Sequence, residues 1–164
     1  MKYTLMFIYA IVSVMLFTTN VKAEVNQERL NYELERGMLV YNAFILADVM
    51  VCEASVEGRV GMLAVANVVM NRVNHPRFPN TIEKVVHQRH QFECIQKGVK
   101  HHWSEARYRE AYQLAMDFLE GKTPRITKAT HYYQYKLMSN PPFWATNDKY
   151  LGTIGNHKFY KVYN

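Results

Sequence analysis

Only two cysteines, Cys52 and Cys94, occur in the 164 residues. That excludes a multi-disulfide framework of the kind that staples small secreted scaffolds. No block of five or more like charges is present, so no basic arm for nucleic acid is marked. HExxH and GxSxG are both missing, which removes the usual signatures of a zinc peptidase and of a serine hydrolase. Internal repeats, low-complexity tracts and interdomain linkers are missing as well. Hydrophobic residues make up 49% of the chain and aromatics 13%, so wholesale disorder is excluded and one domain with a core is expected.

What is present begins with "MKYTLMFIYAIVSVMLFTTNVKA". Lys2 is followed by a charge-free apolar run from Tyr3 to Phe17, and Val21-Lys22-Ala23 places small residues at −3 and −1. This order reads as a secretory signal peptide over residues 1–23. The apolar run is shorter than the roughly 20 residues of a spanning helix, although the charge-free stretch through Val21 would also suit a retained anchor. Cleavage is expected, leaving no stable membrane anchor. Losing Lys2 and Lys22 takes the 20 basic residues to 18 against 14 acidic ones. Such a surface is drawn to polyanions, and export makes nucleic acid a poor partner. In an oxidising compartment Cys52 and Cys94 can pair. The other readings are two buried free thiols, or a metal site with His87 and His90 that lacks any recurring ligand spacing.

Residues 24–39 read as a polar lead-in and residues 40–164 as the functional domain. "MLVYNAFILADVMVCEA" carries a helical stripe of Leu39, Phe44, Ile45, Val49 and Cys52, with Glu53 at its end. Ser55–Gly58 breaks the period. A second helix, marked by Leu63, Ala66, Val69 and Val73, is apolar nearly all round and is predicted to lie at the centre of the domain. Pro76 and Pro79 stop it. Asn80 with Glu83 predicts a capping box for a short helix "TIEKVVHQ". "RHQFECIQKGVKHHW" reads as a surface loop. Ser104 caps a last long helix ending at Gly121. Tyr-rich alternation in "THYYQYKLM" and "NHKFYKVYN" predicts strands, with "SNPPFWATNDKYLGTIG" as a turn-rich connection. The fold class is therefore α+β, mainly helical with a small C-terminal antiparallel sheet.

Two carboxylates stand out. Glu53 follows Val49, Met50, Val51 and Cys52 and precedes Ala54, an apolar setting of the kind that keeps a carboxylic acid protonated for general-acid work. Glu57, four residues on, is either a second carboxylate or a polar group at the next helix start, where negative charge is favoured. On residues alone, most glutamates placed like Glu53 are ordinary surface residues. Phe92, Trp103, Tyr132, Tyr133, Phe143, Trp144, Phe159 and Tyr160 could line a sugar-stacking groove, with most of them building the core instead.

Longer spaced motifs narrow this. Glu53-Ala54, Glu57, Gly61 to Val69, Asn71-Arg72-Val73, Phe78-Pro79-Asn80-Thr81-Ile82, Val85 to Gln88, Gln91-Phe92 and the closing Ile154 to Lys161 occur in order. Over about residues 40–161 the chain resembles the bacterial cell-wall hydrolase family typified by spore cortex-lytic enzymes. The resemblance implies a lysozyme-like domain that acts as a lytic transglycosylase. Such an enzyme cuts the β-1,4 bond between N-acetylmuramic acid and N-acetylglucosamine and leaves 1,6-anhydro ends. It implies Glu53 as the catalytic acid, Glu57 as a supporting carboxylate, Gln91 and Phe92 opposite the glutamate, and Tyr132 and Tyr133 against sugar rings. His157 and Tyr160 would support the architecture, and no metal or cofactor is required. The implied partner is the peptidoglycan glycan strand, met by a monomer in the periplasm or cell wall.

Departures from the family pattern carry expectations of their own. Where the family commonly has Arg-Gly between the two glutamates, this chain has Ser55-Val56, which removes a cation and restricts the backbone. Cys52 and Cys94 flank Glu53 and Phe92, and a disulfide tying the two sides of the groove is expected. The rival readings are a hydrolytic muramidase or glucosaminidase using the same acid, a less fitting amidase, and a glycan-binding protein without turnover.

Overall fold

The computed structural model describes residues 2–96 and 104–163. Helix α1 spans Lys2–Ala54, and a 3-10 turn at Ser55–Glu57 leads into α2, Gly58–Val73. Two short helices follow, α3 at Ile82–Val86 and α4 at Glu93–Gln96, and then the longer α5 at Glu105–Leu119. The strands are β1 at His131–Gln134, β2 at Tyr150–Ile154 and β3 at His157–Tyr160. The chain divides into two units, residues up to Met38 and residues from Leu39 onward. In the first, helical unit, Val14, Phe17, Leu30 and Leu34 are exposed. The second unit carries the core and the sheet.

Helix α2 organises the second unit. Its residues Met62, Val65, Ala66 and Val69 pack with Leu46, Val49, Met50 and Val51 of α1, with Val85 and Val86 of α3, and with Ala111, Leu114 and Phe118 of α5. Ala64 and Val68, on another side of α2, pack with Ala129 and with Phe159 of β3. A helix covered on both sides has to be apolar all round, which accounts for its sequence. Its few polar side chains are spent on the neighbouring chain. Asn67 accepts from the Ile126 amide, and Asn71 donates to the carbonyls of Thr127 and Ala129. These bonds hold the extended segment that enters β1 and satisfy its backbone groups.

The sheet order is β1-β3-β2, all antiparallel. Ile154 pairs with His157, so β2 and β3 are joined by the two residues Gly155-Asn156. Gly155 has φ 57 and Asn156 is not in the left-handed region, the type II′ pattern that matches strand twist.

Three expectations change. Thr81, not Asn80, caps α3 by accepting from the Lys84 amide, while Glu83 accepts from Tyr41 at 2.8 Å instead of closing a capping box. The segment expected as a surface loop contains α4 and buries Phe92, and its residues 97–103 lie outside the described residues. The turn-rich connection contains β2, whose exposed Tyr150 and Leu151 and internal Gly152 hide the alternation of a half-buried strand. Ser104 caps α5 as expected, accepting from the Arg107 amide.

Candidate active site

Glu53 sits in the last turn of α1, where the helix gives way to the 3-10 turn. One carboxyl oxygen, Oε2, accepts from the Tyr132 hydroxyl at 3.0 Å. The other, Oε1, lies 2.9 Å from Sγ of Cys94. Cys94 is bonded to Cys52, with Cα atoms 6.1 Å apart across a sequence separation of 42. The expected bridge is therefore present, and it joins the end of α1 to α4 directly beside the carboxyl group. A cavity of about 550 Å³ opens over these groups and is lined by Cys52, Glu53, Arg72, His90, Gln91, Phe92, Cys94, Tyr132, Tyr133, Gln134, Met138, Pro142, Trp144 and His157.

Tyr132 lies across the sheet from Phe159, with its ring edge-on to His157 at 5.1 Å. Burial first, then Glu53, raises its hydroxyl well above the ordinary tyrosine value. The phenol thus stays neutral and stays a donor to Glu53.

Arg72 is the residue that sequence reading passed over. It is 3% exposed, donating from Nε to the Thr130 carbonyl at 2.7 Å and from Nη1 to Gln91 Oε1 at 2.8 Å. Its guanidinium carbon lies 5.2 Å from the ring centres of both Phe78 and Phe92. Burial lowers its pKa to about 10, while Tyr132, Tyr163 and Glu53 favour the charged form. It therefore remains a cation at neutral pH, close enough to Glu53 for the two charges to interact. Ser55 and Val56, which replace Arg-Gly, do not line the cavity, and Val56 points to solvent. A cation near Glu53 is thus retained from α2. The available signal was a lone basic residue near the end of an otherwise apolar helix.

The stretch of cavity wall at His90–Phe92 is held in an uncommon backbone conformation. His90 and Phe92 have φ of 61 and 47, a region that costs a non-glycine residue about 1 kcal/mol or more. Gln91 between them is held by Arg72, and the Gln96 side chain donates back to the carbonyls of Gln88 and Gln91. These bonds over-determine the turn and present Gln91 and Phe92 to the cavity.

Glu57 is placed differently. It precedes α2 but does not cap it. Its side chain, 1% exposed, turns inward, where Oε1 accepts from Asn156 at 3.3 Å and lies 3.5 Å from Nδ1 of His157. Two glycines make room for it. A Cβ on Gly155 would stand 2.1 Å from Glu57 Cγ, and one on Gly61 would stand 2.3 Å from Glu57 Cβ. Gly155→Ala combines that overlap with a left-handed φ, and is expected to cost about 2 kcal/mol or more in urea-induced unfolding.

Glu53, Gln91, Phe92, Tyr132, Tyr133 and His157 are thus brought to one cavity, and Glu57 and Tyr160 are not among its lining residues. Tyr160 stacks on Tyr133 at 5.9 Å and meets Trp144 edge-on at 5.6 Å. Phe143, considered for the groove, is 94% exposed. His131 packs on Trp144 at 5.0 Å, and burial, then Arg72 and Lys149, lowers its pKa to about 4. The unfolded chain binds this proton near pH 6.5 and the folded protein only near 4. The stability this neutral ring provides is therefore complete above 6.5 and is lost as pH falls toward 4. Thermal denaturation as a function of pH should show that limb, and His131→Phe should flatten it.

A mainly helical domain with a three-stranded antiparallel sheet, and a cleft holding a carboxyl group at a helix end, is a lysozyme-like α+β arrangement. Residues 56–160 match the family model described as Cell Wall Hydrolase, so the chain belongs to the cell wall hydrolase family. That match begins just after Glu53. The spore cortex-lytic enzyme of Bacillus subtilis is 29% identical over 115 residues, which cover 70% of this chain and 36% of that protein. The corresponding enzyme of Halalkalibacterium halodurans is 29% identical over 115 residues, covering 33% of its length. The matched region spans about a third of these relatives. Among solved structures, the catalytic domain of the germination-specific lytic transglycosylase SleB from Bacillus anthracis shares the fold, with a TM-score of 0.58 and 23% identity. That match covers 73% of this chain and 93% of the other. The catalytic domain of SleB from Bacillus cereus matches with a TM-score of 0.59, 23% identity and coverage of 73% and 89%.

Proposed function

We propose that this protein degrades peptidoglycan by cleaving its glycan strands, as a lytic transglycosylase with Glu53 as general acid and then base. The observation that carries the reading is the count of carboxylates at the cavity. Among the described residues that line it, Glu53 is the only acidic one, because Glu57 is turned away into the fold. A glycosidase that admits water or forms a covalent intermediate uses two carboxyl groups flanking the bond. One carboxyl suffices if the substrate supplies the nucleophile.

In that scheme Glu53 donates its proton to the glycosidic oxygen as positive charge develops at C1 of the muramic acid. The carboxylate so formed accepts the proton of the C6 hydroxyl, which closes onto C1. Tyr132 donates to the non-reacting oxygen and fixes the plane of the carboxyl group. Arg72 offsets the negative charge after proton transfer. Residues 1–23 would direct export as a signal peptide, placing the domain against the wall as a monomer.

The test is product mass. Sacculi incubated with the protein should release muropeptides that lack one water relative to hydrolysed ends. Fully hydrated ends would favour the muramidase or glucosaminidase reading, and absence of release across pH and salt would sink the proposal.

A further inference from the structure

Strand β1 lies at an edge of the sheet, paired with β3 on one side. The Tyr135 amide donates to the Asn156 carbonyl at 3.2 Å, in register with that pairing. Bonded and non-bonded pairs alternate along an antiparallel ladder, so His131 and Tyr133 bond to β3 while Tyr132 and Gln134 turn their N–H and C=O groups outward. Two outward carbonyls are already taken. Thr130 accepts from Arg72 Nε at 2.7 Å, and Gln134 accepts from the Leu137 amide at 3.1 Å. Between them, the N–H and C=O of Tyr132 and the N–H of Gln134 have no hydrogen-bond partner among the described residues. This edge borders the cavity. Successive side chains of a strand point to opposite faces, yet Tyr132, Tyr133 and Gln134 all line it, as does Arg72 at the Thr130 end. A cavity that meets three consecutive residues runs along the edge of the strand and not over one face.

We propose that the free edge of β1 is a subsite for the peptide stem carried by muramic acid, which pairs with Tyr132 and Gln134 as a short added strand. This rests on the reading of the protein as an enzyme that cuts glycan strands, and it adds the stem to what that site recognises. Tyr132 offers a donor and an acceptor on one residue, the pair that an antiparallel amide chain meets with its own C=O and N–H. Gln134 offers a further donor about 7 Å along, the two-residue repeat of an extended peptide. An N-acetyl group carries one amide on one sugar and so satisfies Tyr132 alone. The occupied carbonyls of Thr130 and Gln134 close the run at both ends, which suits a stem of a few residues and not a full strand from a second copy of this chain.

Amide hydrogen exchange in the full chain carrying Glu53→Gln, read by NMR, tests this without turnover. The probes are the N-acetylglucosamine–N-acetylmuramic acid disaccharide with a tetrapeptide stem, and the same disaccharide without it. At about ten times its Kd, the stem-bearing probe should slow exchange at the Tyr132 and Gln134 amides about tenfold, as the free fraction falls to about a tenth. The stem-free disaccharide should leave the Gln134 amide at its unliganded rate. In the same background, Gln134→Pro deletes the outward N–H, a change that an edge strand tolerates, and Gln134→Ala keeps it. The proline variant should bind the stem-bearing probe about fivefold more weakly than the alanine variant, the loss of one hydrogen bond. Equal slowing of both amides by both probes assigns the edge to the sugar and overturns the proposal. So does exchange that neither probe changes, or protection that grows with protein concentration alone, the mark of a second copy. Sacculus lysis tests the functional reading separately: an inactive wild type whose amides the stem-bearing probe still protects would defeat that reading and leave the stem subsite standing.

Discussion

Glu53→Gln lowers lysis of purified sacculi by about 10²–10⁴-fold, the range a positioned general acid contributes. The amide keeps the size and shape of the carboxyl group and can still accept from Tyr132. It has no acidic proton to give the leaving oxygen, and it cannot take one from the C6 hydroxyl. Folding is expected to survive, because Glu53 makes its contacts at a cavity wall and not within the core. Dye release from labelled sacculi checks the rate, and circular dichroism checks the fold. The variant should retain binding to sacculi at a level close to the parent. Retained lysis would move the acid to another residue, whereas lost binding together with lost structure would make Glu53 a scaffold element. A protein that only binds glycan would show no lysis in either form.

Arg72→Met is expected to have the largest effect on stability, about 3 kcal/mol or more. The Thr130 carbonyl and Gln91 Oε1 each lose a charge-assisted hydrogen bond, and the one to Thr130 is buried where water cannot easily replace it. The cation–π contacts with Phe78 and Phe92 are lost as well. The methionine keeps most of the side-chain volume, so the loss reports polar pairing and not a void. Urea denaturation measures it. Activity should fall further than stability predicts, because the turn carrying Gln91 and Phe92 loses the bond that offsets its left-handed backbone. Destabilisation below about 1 kcal/mol would mean that the turn holds itself.

Helix α2 and the caps of α5 were legible in the sequence because each is a local pattern. An all-round apolar helix can only be central, and Ser104 names its own partner three residues on. The proline-bounded end of α2 is of the same kind. Strand β2 was illegible because Gly152 and the exposed Tyr150 and Leu151 erase the period, and its pairing with β3 is set by the Gly155-Asn156 turn. The cap of α3 was misplaced by one residue because Asn80 and Thr81 are both capping types side by side, and Glu83 pairs instead with Tyr41 of α1, 42 positions away. At the site, spaced motifs pointed to Glu53, Gln91 and Phe92. Arg72 stood inside one of those motifs without a role, since its partners Thr130 and Gln91 are distant in sequence.

Glu57, Gly61 and Gly155 occupy what amounts to a single volume shared by three positions. The space given to the glutamate side chain is the space refused to a Cβ at either glycine. Variation at these positions is therefore not independent: the overlap at 61 is with the Cβ of residue 57, an atom every residue but glycine carries, so alanine at 61 needs glycine at 57 or a shift of the backbone. The left-handed φ of Gly155 adds a second constraint there that shortening residue 57 does not lift. In sequence comparison, 61 should stay glycine wherever residue 57 carries a side chain, and 155 should stay glycine in either background. Glu57 would then be retained for the room it fills beneath the hairpin, quite apart from its charge.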